Sequence, residues 1–223
     1  MTPQRPRSIL YVDGFNLYYA IRGTPNKWLD LGALADRVLP HTEVVLVRYF
    51  TAEVKAFDDV RAPARQQAYL RAVGSLPRLA IHRGQFRVNE HSLPLSEDHA
   101  RRAARQGGRA GTRVPVLKAE EKGSDVNLAT YLLIDAYEER FEEAAVITND
   151  SDLTEPIRHV SRQLGRPVWL MNNRGRPARE LQRAASKYLR LTHDDFAACQ
   201  LPDPVIIGSD KVSKPPKWSV EPY

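Results

Sequence analysis

Short unbroken apolar runs alternate along this chain with stretches in which apolar residues recur every three or four positions. Ser8-Ile9-Leu10-Tyr11-Val12 is the first run, apolar enough to predict a strand buried on both faces. Asp13-Gly14 ends it, and residues 15–21 then read as a helix that Gly23 and Pro25 stop. Asp30 is placed to cap a second helix running to about Leu39. Residues 43–50, rich in valine, predict a second buried strand. A longer helix follows, opened by Asp58 or Asp59 and ended by Gly74 and Pro77. Residues 79–88 predict a third strand. After residue 113 the pattern resumes with extended chain at 114–118 and a helix capped by Ser124, carrying Val126, Ala129, Leu132, Leu133 and Ala136 at helical spacing. A strand over 142–148, a helix over 153–164, a strand over 167–171 and a helix over 178–188 complete the series.

Strands alternating with helices predict an α/β domain with a mainly parallel central sheet flanked by helices, over residues 8–190. Two stretches depart from the alternation. Residues 89–113 hold few large apolar side chains and many arginines, so they predict a mobile basic insertion. Residues 201–223 are proline-rich and predict a tail that does not fold on its own.

Charge sharpens this picture. The 223 residues carry a formal charge of +6, which favours a polyanionic partner. From His99 to Lys118 the chain has Arg101, Arg102, Arg105, Arg109, Arg113 and Lys118 and no acid. The single cysteine, Cys199, cannot form an internal bridge, and the apolar run from Ile9 is broken at Asp13 and Asn16. A cytoplasmic protein with no membrane partner is the expectation.

Against that basic background, four aspartates sit at strand–helix junctions: Asp13 after the first strand, Asp125 opening a helix, and Asp150 and Asp152 after the apolar run 144–147. If the strands before Asp13 and Asp150 are neighbours, these acids converge on the carboxyl edge of the sheet, at its topological switch point. Carboxylates crowd together only if cations offset their repulsion or some stay protonated. Mg²⁺ or Mn²⁺ is the natural counterion, able to activate a water and stabilise a phosphodiester transition state. Asn16, one turn into the first helix, is placed to orient a ligand. Helix capping competes with this reading. Asp152-Leu153-Thr154-Glu155 fits a capping box and Asp13 can cap the first helix, which leaves Asp150 without a capping role. Tyr11, Tyr18, Tyr19 and Phe50 are expected in the core rather than as base-stacking platforms.

Val12-Asp13-Gly14-Phe15-Asn16, Lys122-Gly123-Ser124-Asp125-Val126 and Thr148-Asn149-Asp150-Ser151-Asp152-Leu153 stand in order at three junctions. On these motifs the chain resembles the NYN family, the LabA/DUF88-like branch of the PIN-like nucleases. The resemblance implies a Rossmann-like PIN fold and metal-dependent endoribonuclease activity. It assigns metal binding to Asp13, Asp125, Asp150 and Asp152, with Asn16 and Thr148 in support. Two positions depart from the family pattern: Asn149 stands where glycine is common, and Tyr131 where an extra acid often occurs. These departures motivate an alternative, a catalytically weak or inactive RNA-binding regulatory module of the same fold. RNA is the expected partner, with Lys122 near the scissile phosphate and Arg101, Arg102, Arg105 and Arg109 on an arm contacting phosphates without reading bases. Other nucleic acids and a homodimer stay open.

Overall fold

The computed structural model describes residues 4–56, 59–105, 113–172 and 175–219. The chain runs β1 (Arg7–Asp13), α1 (Gly14–Ile21), α2 (Leu31–Val38), β2 (Glu43–Ala52), α3 (Ala62–Gly74), β3 (Leu79–Pro94), α4 (Glu97–Arg105) and β4 (Arg113–Lys122). There follow α5 (Ser124–Tyr137), β5 (Glu143–Ile147), α6 (Thr154–Arg158), β6 (Val168–Asn172), α7 (Arg179–Ala184), β7 (Lys187–Arg190), α8 (His193–Ala197), β8 (Val205–Ile207) and β9 (Asp210–Val212).

The central sheet has seven strands in the order β4-β3-β2-β1-β5-β6-β7. All pairs are parallel except β3 with β4. From β1 the chain winds outward through β2 and β3, then returns to the other side of β1 for β5, β6 and β7. The strands before Asp13 and Asp150 are therefore neighbours, and the gap between their carboxyl ends is the switch point.

Period-two alternation along β1 divides the core. Leu10 and Val12 face a cluster built with α1, α2 and α3, while Ile9 and Tyr11 face a second cluster built with α5, α6 and α7. Gly14 lets α1 start close against β2, since a Cβ there would lie 2.6 Å from the Phe50 carbonyl oxygen.

Several sequence expectations change. Residues 89–94 and 113–122 are strand: β3 continues past its last β2 partner at Gly84, and β4 pairs back along it from Pro94↔Arg113 to Gln85↔Lys122. Ladder hydrogen bonds satisfy this backbone without a core, a possibility that composition alone does not reveal. Between the strands, α4 has Glu97 and Asp98 in its first turn and Arg102 and Arg105 in its last, matching the helix dipole. Arg109 lies outside the described residues.

The helix over 124–137 is entered through Gly123 at φ +100°, and its first N–H is capped by Glu121 rather than by the Ser124 side chain. Asp58 lies outside the described residues. Asp59 precedes α3, accepting from the Arg61 N–H and pairing with Arg65 and Lys217. The expected helix over 178–188 ends at Ala184, because residues 187–190 pair with β6 as the sheet's edge strand.

The proline-rich segment is tied to the domain. Its β8–β9 hairpin is followed by a turn at Pro216–Trp218 that buries Trp218 against Trp28 and Tyr69. Trp28 donates its indole N–H to the Pro202 carbonyl at 2.9 Å.

Candidate active site

Each acid reaches the site by a different route. Asp13 is the last residue of β1 and the N-cap of α1, and is 3% exposed. One of its oxygens accepts from the Asn16 backbone N–H at 2.9 Å. The other accepts from the Asn16 side-chain amide at 2.5 Å and from the Thr148 hydroxyl at 3.0 Å. Burial pushes its pKa up. The Asn16 and Thr148 hydrogen bonds pull it back, and Asp150 adds to the rise.

Thr148 joins the two strand ends. Its hydroxyl donates to Asp13 and accepts from the Asp150 N–H at 3.0 Å. Asp150 then caps the short 3₁₀ turn Ser151–Leu153, accepting from the Asp152 N–H at 2.9 Å. The capping assignment expected from sequence is thus reversed. Asp150 is the cap, and the exposed Asp152 has no capping hydrogen bond. A 3₁₀ turn inserted before α6 moves the cap two residues upstream of where a regular helix would need it.

Asp125 comes from the other direction. Because β4 runs antiparallel and ends opposite Gln85, α5 starts at the carboxyl edge of the sheet. Asp125, in the first turn of α5, has its pKa raised to about 6. Partial burial is the main cause, followed by the charges of Asp13, Asp150, Glu121 and Asp152. Those four acids are therefore close enough to Asp125 to be felt. Glu121 was not anticipated from sequence; its signal was an acid three residues before a helix start, entered through a glycine.

The arginines lie elsewhere. Arg101, Arg102 and Arg105 are exposed on α4, at the far end of the β3–β4 hairpin, about 30 Å of extended chain from Gln85. Lys122 is exposed at the last position of β4, beside the turn that leads to Asp125. Tyr131 and Asp135 form a separate constellation. Arg48 makes a paired contact with Asp135 at 2.6 and 2.8 Å, Tyr11 donates to Asp135 at 2.7 Å, and the Arg48 guanidinium lies 4.5 Å from the Tyr131 ring centroid. The Asp135 carboxylate is wholly engaged in the core and does not substitute for an acid at Tyr131.

The family model of the NYN domain matches residues 7–192. The chain belongs to the NYN family. It is similar to the 6-hydroxy-3-succinoylpyridine 3-monooxygenase HspA of Pseudomonas putida (strain DSM 28022 / S16). The two are 31% identical over an aligned length of 247 positions, gaps included, which covers 97% of this chain and 76% of that protein. Among solved structures it is similar to VPA0982 of Vibrio parahaemolyticus RIMD 2210633, a protein of unknown function. That likeness has a TM-score of 0.52 at 14% identity over 87% of this chain and 98% of the other, and it shows the fold alone. NYN membership points to nuclease-type chemistry, for which PIN-like nucleases generally use divalent metals.

The four acids have the chemistry that such an ion requires. Their oxygens are hard donors, and the raised pKa of Asp125 is a repulsion that a cation would relieve. Among the described residues, however, no three His, Cys, Asp or Glu side chains are already gathered into a metal-holding group. The set fits Mg²⁺ or Mn²⁺ bound through one or two carboxylates, with waters and substrate phosphate completing the shell, better than an all-protein cage.

Proposed function

We propose that this NYN chain is a divalent-metal-dependent endoribonuclease that hydrolyses RNA phosphodiester bonds. The observation that supports it most is that Asp13, Asp125, Asp150 and Asp152 stand at three strand–helix junctions of a chain with net positive charge, near enough for the other three to raise the Asp125 pKa. One or two of the carboxylates of Asp13, Asp125, Asp150 and Asp152 would hold Mg²⁺ or Mn²⁺, with water and substrate phosphate completing its shell. That ion supplies positive charge to the phosphate and lowers the pKa of a water. Asn16 and Thr148 fix the Asp13 carboxylate with three hydrogen bonds, so its orientation is set before any ligand arrives. The Thr148 hydroxyl also fixes the Asp150 backbone, which couples the two acids across the switch point. Lys122 stands next to this edge and is assigned to the RNA backbone. Arg101, Arg102 and Arg105 are assigned to phosphates farther along the strand.

The test is cleavage of a labelled RNA in Mg²⁺ or Mn²⁺ by wild type and Asp150→Asn. We expect loss of about 10²-fold or more in the variant and no turnover in EDTA. Full activity in EDTA, or an unaffected variant, overturns the mechanism. Salt-sensitive RNA binding without turnover would place the chain with the alternative, a non-catalytic RNA-binding module; Tyr131, held by Arg48 and lacking a carboxylate, favours that outcome.

A second reading follows from the likeness to HspA across 97% of the chain: oxygenation of a small aromatic acid. Consumption of O₂ with such a compound and a two-electron reductant such as NADH, uninhibited by RNA, would replace the nuclease assignment.

A further inference from the structure

Beside the carboxylates lies a cavity of 580 Å³ between α1 and α3. Gly14, directly after Asp13, forms part of its wall, as does Tyr49. Burial raises the Tyr49 phenol pKa, and Asp13's charge adds to the rise, so the cavity and the acid site adjoin. Trp218 closes part of the cavity from the C-terminal segment. Its volume falls within the range of small-molecule and nucleotide sites.

The lining has two characters. Tyr18 and Tyr19 belong to α1 and both line the cavity. Their rings meet edge to face at 5.8 Å, yet they are 45% and 49% exposed. This corrects their sequence assignment to the core. The Arg22 guanidinium lies 5.2 Å from the Tyr19 ring centroid, which leaves Tyr18 as the freer aromatic surface. The other character is charge. Among the described residues, Arg22, Lys27, Lys55, Arg65 and Lys118 line the cavity, against one acid, Asp59. Asp59 is already paired with Arg65 at 2.5 Å and Lys217 at 2.9 Å. Lys27 is pushed below the usual lysine pKa by burial and by the nearby charges of Lys214 and Lys217.

We propose that this cavity is a subsite for a planar ring bearing an anionic group, with Tyr18 stacking on the ring and Lys55 facing the anion. Two sources carry that chemistry: a nucleotide unit of a bound RNA strand, and a free small aromatic acid. The subsite stands without the nuclease assignment, because its recognition uses neither the carboxylates nor an ion. Gln66 holds the Lys55 loop in place, accepting from the Val54 N–H and donating to the Ala52 carbonyl, both at 2.8 Å.

The test is a fluorescence titration of the full chain with 2-aminopurine riboside 5′-monophosphate in EDTA, where cleavage does not contribute. We expect saturable quenching, weakened about tenfold by Tyr18→Ala, as stacking on one aromatic side chain implies, and weakened again by Lys55→Glu. Both side chains are exposed, so circular dichroism should show both variants folded. Displacement by a uridine hexanucleotide more readily than by pyridine-3-carboxylate assigns the subsite to a strand; the reverse order assigns it to a free acid. Absence of saturable quenching, or quenching that neither substitution changes, overturns the proposal. A chain that fails to cleave RNA but still shows Tyr18-dependent quenching refutes the nuclease assignment alone.

Discussion

Asp125 is the most strained charge at the candidate site, and its sign can be followed through folding. Its folded-state pKa is about 6 against an ordinary 3.8, so between these values the folded chain binds more protons than the unfolded one. Stability in EDTA therefore falls as pH rises through that window, and above it the ionised carboxylate is a standing burden. Asp125→Asn should raise Tm at pH 8 and leave it nearly unchanged at pH 3.5, where the wild-type carboxyl is itself neutral; thermal melts in EDTA at the two pH values decide. Millimolar Mn²⁺ should raise the wild-type Tm at pH 8 and do less for the variant. A lower Tm for the variant at pH 8 would mean the charge is already compensated. At the same scale, Asn16→Ala removes the side-chain amide that holds Asp13 and should lower RNA cleavage about 10–100-fold, as losing a partner of a metal-binding side chain commonly does.

The sequence showed these residues unevenly. Asp13, Asp125 and Asp150 were legible as acids at strand ends because such junctions have distinct spacing. The cap was misplaced to Asp152 because a 3₁₀ turn and a regular helix start share the same residue preferences. The folded backbone alone decides that Asp150 takes the Asp152 N–H.

At the level of elements, α5 is pinned to the sheet by Arg48, Asp135, Tyr11 and Arg140. Asp135 is fully buried, so removing it strands the Arg48 guanidinium in the interior. Asp135→Ala should lose about 3–5 kcal/mol in urea unfolding. Arg48→Met combined with Asp135→Leu should recover most of that loss, since the pair is then replaced by apolar packing. A mild effect of the single substitution would show that α5 is held chiefly by Leu128 and Leu132. The hairpin of β3 and β4 is the other informative element. Arg101→Glu with Arg102→Glu should flatten the dependence of log K on log salt for a long single-stranded RNA by roughly 1.4, about 0.7 per lost phosphate contact. An oligonucleotide too short to reach α4 should bind both proteins equally; if the long RNA keeps its slope, the arm does not touch the strand. In sequence this arm looked like a mobile loop. Its order comes from a ladder whose ten pairs join residues 19 to 37 positions apart, too scattered for a local pattern to reveal.

Over the whole molecule, the C-terminal segment changes status most. Its prolines predict a tail that does not fold on its own, and Trp218 docks it on the domain in an aromatic group with Trp28 and Tyr69 and walls the cavity. Trp218→Ala should lower stability by about 3 kcal/mol and weaken the nucleotide binding described above; chemical denaturation with the same fluorescence titration measures both. Undiminished stability would return the segment to a loosely attached tail. The alternation of strand and helix, the mainly parallel sheet and the acids at its carboxyl edge were set by the sequence alone, because hydrophobic period and junction chemistry are local properties. The strand order around β1, the antiparallel return that brings Asp125 and Glu121 to Asp13, and the docking of Trp218 were decided only in the tertiary structure. Each depends on which distant surfaces bury one another, and residues far apart in the chain carry no local trace of that choice.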